Sequence, residues 1–152
     1  MRKCTLKGHP NLAKIEDYRI EDDMIYLVIE LWNSGSLKGQ MKNNKYSEEE
    51  ALTILHQIVL GLSVLHEELN ITHRDLKHDN ILCHQIKNEK IYKLSDFGLS
   101  SEKDYFSSNL GTIMYLSPEY FDDVSKSKSV DIWALGIILH ELLFGTHPFW
   151  RN

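Results

Sequence analysis

The chain has 152 residues, 42% hydrophobic and 26% charged, which is enough apolar side chain for one sizeable core and too much for a disordered segment. Its net charge of −5 leaves no basic stripe to neutralise phosphates, so nucleic acid is not expected as the main partner. Cys4 and Cys83 form no CxxC pair, and His73, His78 and His84 lack ligand-like spacing, so neither a disulfide framework nor a zinc site is expected.

The first residues, Met1 to Lys7, contain no apolar run suited to a signal peptide, and the longest apolar stretch, Ile132 to Leu139, is far short of a membrane span. The expectation is a reduced, cytoplasmic protein with no membrane partner. Leu12 to Ile20 and Met24 to Glu30 read as two strands joined by the acidic turn Glu21-Asp22-Asp23. Ile25, Leu27 and Ile29 alternate with Tyr26 and Val28, which predicts a second strand covered on both faces. Asn33-Ser-Gly-Ser36 breaks the pattern, and a short helix follows through Met41. Ser47-Glu-Glu-Glu50 is a capping box, and Ala51, Ile54, Leu55, Ile58, Leu62 and Leu65 then recur at helical spacing. Leu52, Val59 and Leu60 widen that face, predicting a helix buried on most sides. Ile81-Leu-Cys83 and Ile91-Tyr-Lys-Leu94 predict a hairpin around Gln85 to Lys90. Asp131 to Phe144 is apolar all the way round, as a central core helix is. The fold class is α+β, a small strand element followed by a mainly helical body.

Two runs carry chemistry: His73-Arg-Asp-Leu-Lys-His-Asp-Asn80 and Asp96-Phe-Gly98. They supply a base candidate in Asp75, a cation in Lys77, and hard oxygen ligands in Asn80 and Asp96. Phosphoryl transfer needs such a set, because its transition state is handled mainly by positioning and by neutralising charge. A lone Asp-Phe-Gly means little, but both motifs in this order, with a strand-forming segment between them, are specific. On these residues the chain resembles the eukaryotic protein kinase family.

The resemblance implies a protein-kinase-like fold, serine/threonine type by Lys77, with ATP and Mg2+ as cofactors and protein substrates as partners. It implies that Asp75 handles the proton of the substrate hydroxyl, that Lys77 balances charge on the transferred phosphate, and that Asn80 and Asp96 hold magnesium. His78 and Asp79 stand where the family most often has Pro and Glu. Gly111-Thr-Ile-Met-Tyr-Leu-Ser-Pro-Glu119 resembles the end of the activation segment, with Ser117 in place of the usual Ala and Thr112 placed to bond the catalytic Asp and Lys. Asp131 matches the residue that holds the catalytic-loop backbone. His9-Pro-Asn-Leu12 and Tyr26-Leu-Val-Ile-Glu-Leu-Trp32 resemble the fourth strand's entry and the interlobe hinge. By that register Ile29 is the gatekeeper, the backbone of Glu30 and Trp32 meets adenine, Ser36 lies near the ribose and Leu82 under the adenine ring. Arg74 marks a kinase whose activation segment is ordered by a phosphate, with Ser108 as its candidate bearer and Ser107 and Tyr105 as rivals. Asp79 and Glu141 match acidic positions that contact basic substrate side chains, although Glu141 reads equally well as satisfying a buried loop.

No GxGxxG loop precedes the strands within these residues, and no lysine-bearing third strand does; Lys14, on the wrong strand, is expected to be solvated. The expectation is a partial domain, residues 1–32 ending the small β lobe with its hinge and 33–152 running through the central helix of the large lobe, without the family's last helices. Two functions compete. One is a serine/threonine kinase fragment; the other is a catalytically silent kinase-like binding module or truncated gene product.

Overall fold

The computed structural model describes residues 8–22, 24–42, 46–97, 113–121 and 127–149. In chain order these form strands β1 (Ile15–Glu21) and β2 (Met24–Ile29), the short helix α1 (Leu37–Met41), helix α2 (Glu48–Ser63), strands β3 (Ile81–Ile86) and β4 (Glu89–Leu94), and helix α3 (Ser129–Phe144). A π-helical turn, Val64–Glu68, prolongs α2, and 3-10 turns occupy His78–Asn80 and Pro118–Phe121. The class is α+β as expected, with two separate antiparallel pairs, β1-β2 and β3-β4.

The core lies beside the second hairpin. Ala51, Ile54, Ile58 and Leu62 of α2 form one cluster with Ile81, Cys83, Tyr92 and Leu94 of the hairpin and with Ala134, Leu135, Ile138 and Leu142 of α3. Gly61 permits the close approach, since a Cβ there would meet the Asn11 carbonyl oxygen at 2.6 Å. The Ser47 capping box forms, with Ser47 Oγ accepting from Glu50 N at 3.2 Å and Glu50 Oε2 from Ser47 N at 2.8 Å. Helix α3 stops at Gly145, whose left-handed φ of 72° lets its N–H reach the Glu141 carbonyl at 2.8 Å.

Several expectations need correction. Strand β1 begins at Ile15, because Leu12 and Ala13 are drawn to the other hairpin: Ala13 N donates to Leu94 O at 2.8 Å and Leu94 N to Asn11 O at 3.0 Å. Strand β2 is exposed on both faces, with Ile25 51% and Tyr26 46% accessible, because no other described element packs closely on its sheet. Helix α2 buries one stripe, and Leu52, Val59 and Leu60 all lie on its exposed side. The second hairpin turns on Lys87 and Asn88 alone, Lys87 taking φ 53°, so its strands run further than the polar run suggested. Helix α3 buries Val130, Ala134, Leu135, Ile137, Ile138 and Leu142, but not all the way round, since Ile132 and Phe144 are exposed.

Candidate active site

Residues 73–77 run from the π-helical turn toward the 3-10 turn at His78–Asn80, which leads into β3. Asp131, in the first turn of α3, holds the start of this loop. Its buried carboxylate accepts from His73 N and Arg74 N at 2.8 Å each and faces His66 Nε2 at 2.7 Å. Desolvating a carboxylate is tolerable only with such a set of donors, and a first-turn acid also suits the helix dipole. The bonds hold Arg74 at φ 65°, a left-handed conformation that costs a non-glycine residue about 1 kcal/mol or more. Leu76 fastens the middle of the loop in the core. Burial pushes the His73 imidazole below its ordinary pKa.

Three of the sequence candidates meet directly. Lys77 Nζ lies 2.9 Å from both carboxylate oxygens of Asp75, and Asn80 Nδ2 lies 2.9 Å from Asp75 Oδ2 and from its backbone carbonyl. With its amide nitrogen turned to Asp75, Asn80 has its Oδ1 on the opposite side. The hairpin brings the fourth candidate back. Ser95 N and Oγ donate to the Asn80 carbonyl at 2.9 and 3.1 Å, and Ser95 Oγ lies 3.2 Å from Asp96 Oδ2. Asp96 itself is exposed at φ 59°. An amide oxygen and a carboxylate on linked loops are the hard donors that magnesium takes, with water and phosphate completing its shell. Among the described residues no group of three or more His, Cys, Asp or Glu side chains is placed to hold a metal.

The hinge candidates sit between the two hairpins. Glu30 accepts from Lys93 Nζ at 3.0 Å through both carboxylate oxygens and from Lys14 N at 2.6 Å, while Lys93 lies 4.8 Å over the Trp32 ring. Lys14 is solvated as expected and pairs with Glu16, but it precedes β1 rather than lying on a strand. Ser36 bridges Leu82 and caps α1, its Oγ accepting from Gly39 N at 3.4 Å. Cys83 N donates to Gly35 O at 2.8 Å. Glu30, Trp32 and Ser36 thus contact β3 and β4, Ser36 beside Leu82, whereas Ile29 pairs with Ile15 in the first hairpin and is 46% exposed. A pocket opens instead between Arg74, Asp75, Tyr115, Ser117 and Asp131, and none of the hinge candidates lines it.

Beyond the loop, His78 Nδ1 lies 2.9 Å from the Tyr115 hydroxyl, which donates to Glu141 Oε2 at 3.0 Å. Glu141 therefore satisfies a buried cluster, one of the two readings its position allowed. Asp79 faces outward and pairs with Lys38 at 2.9 Å. Burial pushes His78 down to about 4 and raises the Glu141 carboxyl. Glu119 takes a contact from Ser129 Oγ at 3.4 Å. Thr112 and Ser108 lie outside the described residues, as do Ser107, Tyr105 and Gly98.

Sequence reasoning missed His66, Lys93 and Tyr115. The signal for His66 was a histidine on the buried stripe of a helix, which must find a partner. Lys93 and Tyr115 gave no local signal, since their partners stand 63 and 26 residues away.

A family model for the protein kinase domain matches residues 1–152. The calcium and calcium/calmodulin-dependent serine/threonine-protein kinase of Pisum sativum is 39% identical over 145 residues, which cover 93% of this chain and 27% of that protein. The calcium/calmodulin-dependent protein kinase type II of Caenorhabditis elegans is 38% identical over 153 residues, covering 98% of this chain and 21% of that protein. The chain thus spans about a quarter of the length of these relatives. Among solved structures, the crystal structure of Rad53 1-466 in complex with AMP-PNP superposes with a TM-score of 0.78 at 28% identity, over 95% of this chain and 36% of that one.

Proposed function

Because the chain belongs to the protein kinase domain family, we propose that its residues carry the catalytic loop of a serine/threonine protein kinase that transfers the γ-phosphate of ATP to hydroxyls of protein substrates. The observation that carries this reading is the Asp75-Lys77-Asn80 constellation, with both Lys77 and Asn80 bonded to the Asp75 side chain at 2.9 Å. Asp75 accepts the proton of the attacking hydroxyl. Lys77, held against it, offers its charge to the transferred group, and the Asn80 Oδ1 and Asp96 oxygens are the ligands for magnesium. Bound magnesium–ATP supplies the transferable phosphoryl group and the cation that neutralises it. Glu30 and Trp32, fixed by Lys93, present the hinge backbone to adenine, with Ile29, Ser36 and Leu82 around it.

A chimera tests the proposal, with residues 1–152 replacing the matching span of a complete calcium/calmodulin-dependent kinase domain. It should phosphorylate a generic serine peptide, and Asp75→Asn should lower kcat by roughly 10²–10⁴-fold while sparing nucleotide binding. Near-normal turnover in that variant would overturn the assignment. A silent kinase-like binding module is the second reading, favoured by the apolar, doubly exposed β1-β2 sheet. A folded but inactive chimera would support it.

A further inference from the structure

Asp131 secures only the start of the catalytic loop, and the loop's exit at His78–Asn80 carries Lys77 and Asn80 on either side of a buried histidine. We propose that His78 is a positioning residue, which with Tyr115 and Glu141 fixes the exit of the catalytic loop on α3 as Asp131 fixes its entry. The proposal deepens the kinase reading and rests on it.

The geometry is that of a closed relay. Tyr115 Oη lies 2.9 Å from His78 Nδ1 and 3.0 Å from Glu141 Oε2, and Glu141 Oε2 lies 3.4 Å from the same ring nitrogen. The tyrosine has one proton to give, and the carboxylate can only accept. Its hydroxyl therefore donates to Glu141, and the Nδ1–H of His78 donates to the tyrosine oxygen, which assigns the histidine tautomer from the network. The ring is 3% exposed and packs edge-on against Tyr115 at 5.7 Å. The buried Nε2 of the same ring has no hydrogen-bond partner among the described residues, so the hold on His78 comes from the Nδ1 bond and from packing.

Neighbouring groups leave the relay intact. On α1, Lys38 is paired with Asp79 at 2.9 Å, and their opposite charges act on the relay from outside it. After α3, His147 is turned to the Met114 carbonyl at 3.0 Å, and His140 on α3 is turned to the Thr146 carbonyl at 2.8 Å. Asp131 and Glu141 belong to one rigid helix and stand about 15 Å apart along it, so the loop between them is strapped at two points. Lys77 opens the 3-10 turn that His78 begins, and Asn80 N closes it on Lys77 O at 3.0 Å. Movement of His78 would therefore shift both groups that hold Asp75.

Two measurements test the proposal. In the chain itself, at one fixed pH, Tyr115→Phe and His78→Leu should each speed hydrogen exchange of the Asn80 amide about tenfold. The Ala51 amide, which donates to the Ser47 carbonyl at the start of α2 and has no part in the relay, should be unaffected and would respond only to general destabilisation. In the chimera the same two variants should lower kcat about tenfold with KM for ATP unchanged, because misplacement rather than binding is at fault. The double variant should be no slower than either single one. His78→Asn, which keeps a donor near the Nδ1 position, should restore most of the rate. Additive losses, equal exchange effects at Ala51, or failure of His78→Asn where His78→Leu also fails would overturn the proposal. An inactive parent chimera would sink the kinase reading, and the exchange result would then decide the anchoring on its own.

Discussion

Asp131 offers one buried carboxylate to His73 N, Arg74 N and His66, and the left-handed Arg74 depends on that arrangement. Asp131→Ala should destabilise the fold by about 3–5 kcal/mol, since it strands buried donors rather than merely deleting a contact. Urea denaturation would measure this, and a loss below 1 kcal/mol would deny the loop its anchor. Asp96 tests the other end of the site. In the chimera Asp96→Ala should weaken magnesium-dependent ATP binding by removing a hard ligand, and unchanged affinity by calorimetry would count against that role. At this scale the sequence was readable where chemistry is compressed into a short run. Asp75, Lys77 and Asn80 fall within six residues and do meet. Tyr115 was not readable as a partner of His78, because their contact exists only once α3 brings Glu141 between distant segments.

Helix α2 shows both the strength and the limit of pattern reading. Its start was legible because a capping box is local chemistry, and Ser47→Ala should cost about 1 kcal/mol in a thermal or urea melt. A change under a few tenths would mean that the box is idle. Its burial was overestimated, because hydrophobic identity marks what can be buried and not what has a neighbour. Leu52, Val59 and Leu60 are each more than 40% accessible. The same reasoning failed on β2, whose alternation fits a covered strand equally well. Gly61, by contrast, signals nothing in sequence, yet the packing of α2 on the Leu12 segment requires it.

For the whole molecule, the buried histidines set an acid limit. His78 titrates at about 4 and His73 is also lowered, so between roughly pH 6.5 and 4 the unfolded chain binds protons that the native chain refuses. Stability should be full above about pH 6.5 and fall as pH drops through that window. Glu141, raised by burial, works in the opposite direction and blunts the fall. Thermal melts of the wild type at pH 7 and 5 should show the loss, and His78→Asn should flatten it; an unchanged Tm across that range would reject the assignment. A second property of the whole belongs to the 152 residues as a polypeptide. They include the proposed catalytic loop and the candidate ligand Asp96, yet no GxGxxG run to clamp phosphates. Their β1-β2 sheet exposes Ile20, Ile25 and Val28, and Leu31 beyond it is 90% accessible. Phosphoryl transfer depends chiefly on positioning, and an open site with unclamped phosphates forfeits it. Purified residues 1–152 should therefore be poorly soluble, bind ATP weakly and phosphorylate no generic substrate, because an apolar sheet without a cover favours self-association. A radiolabelled ATP assay decides the matter: phosphorylation that vanishes in Asp75→Asn would show that another basic group, Lys3 or Lys7 among them, serves in place of the strand lysine.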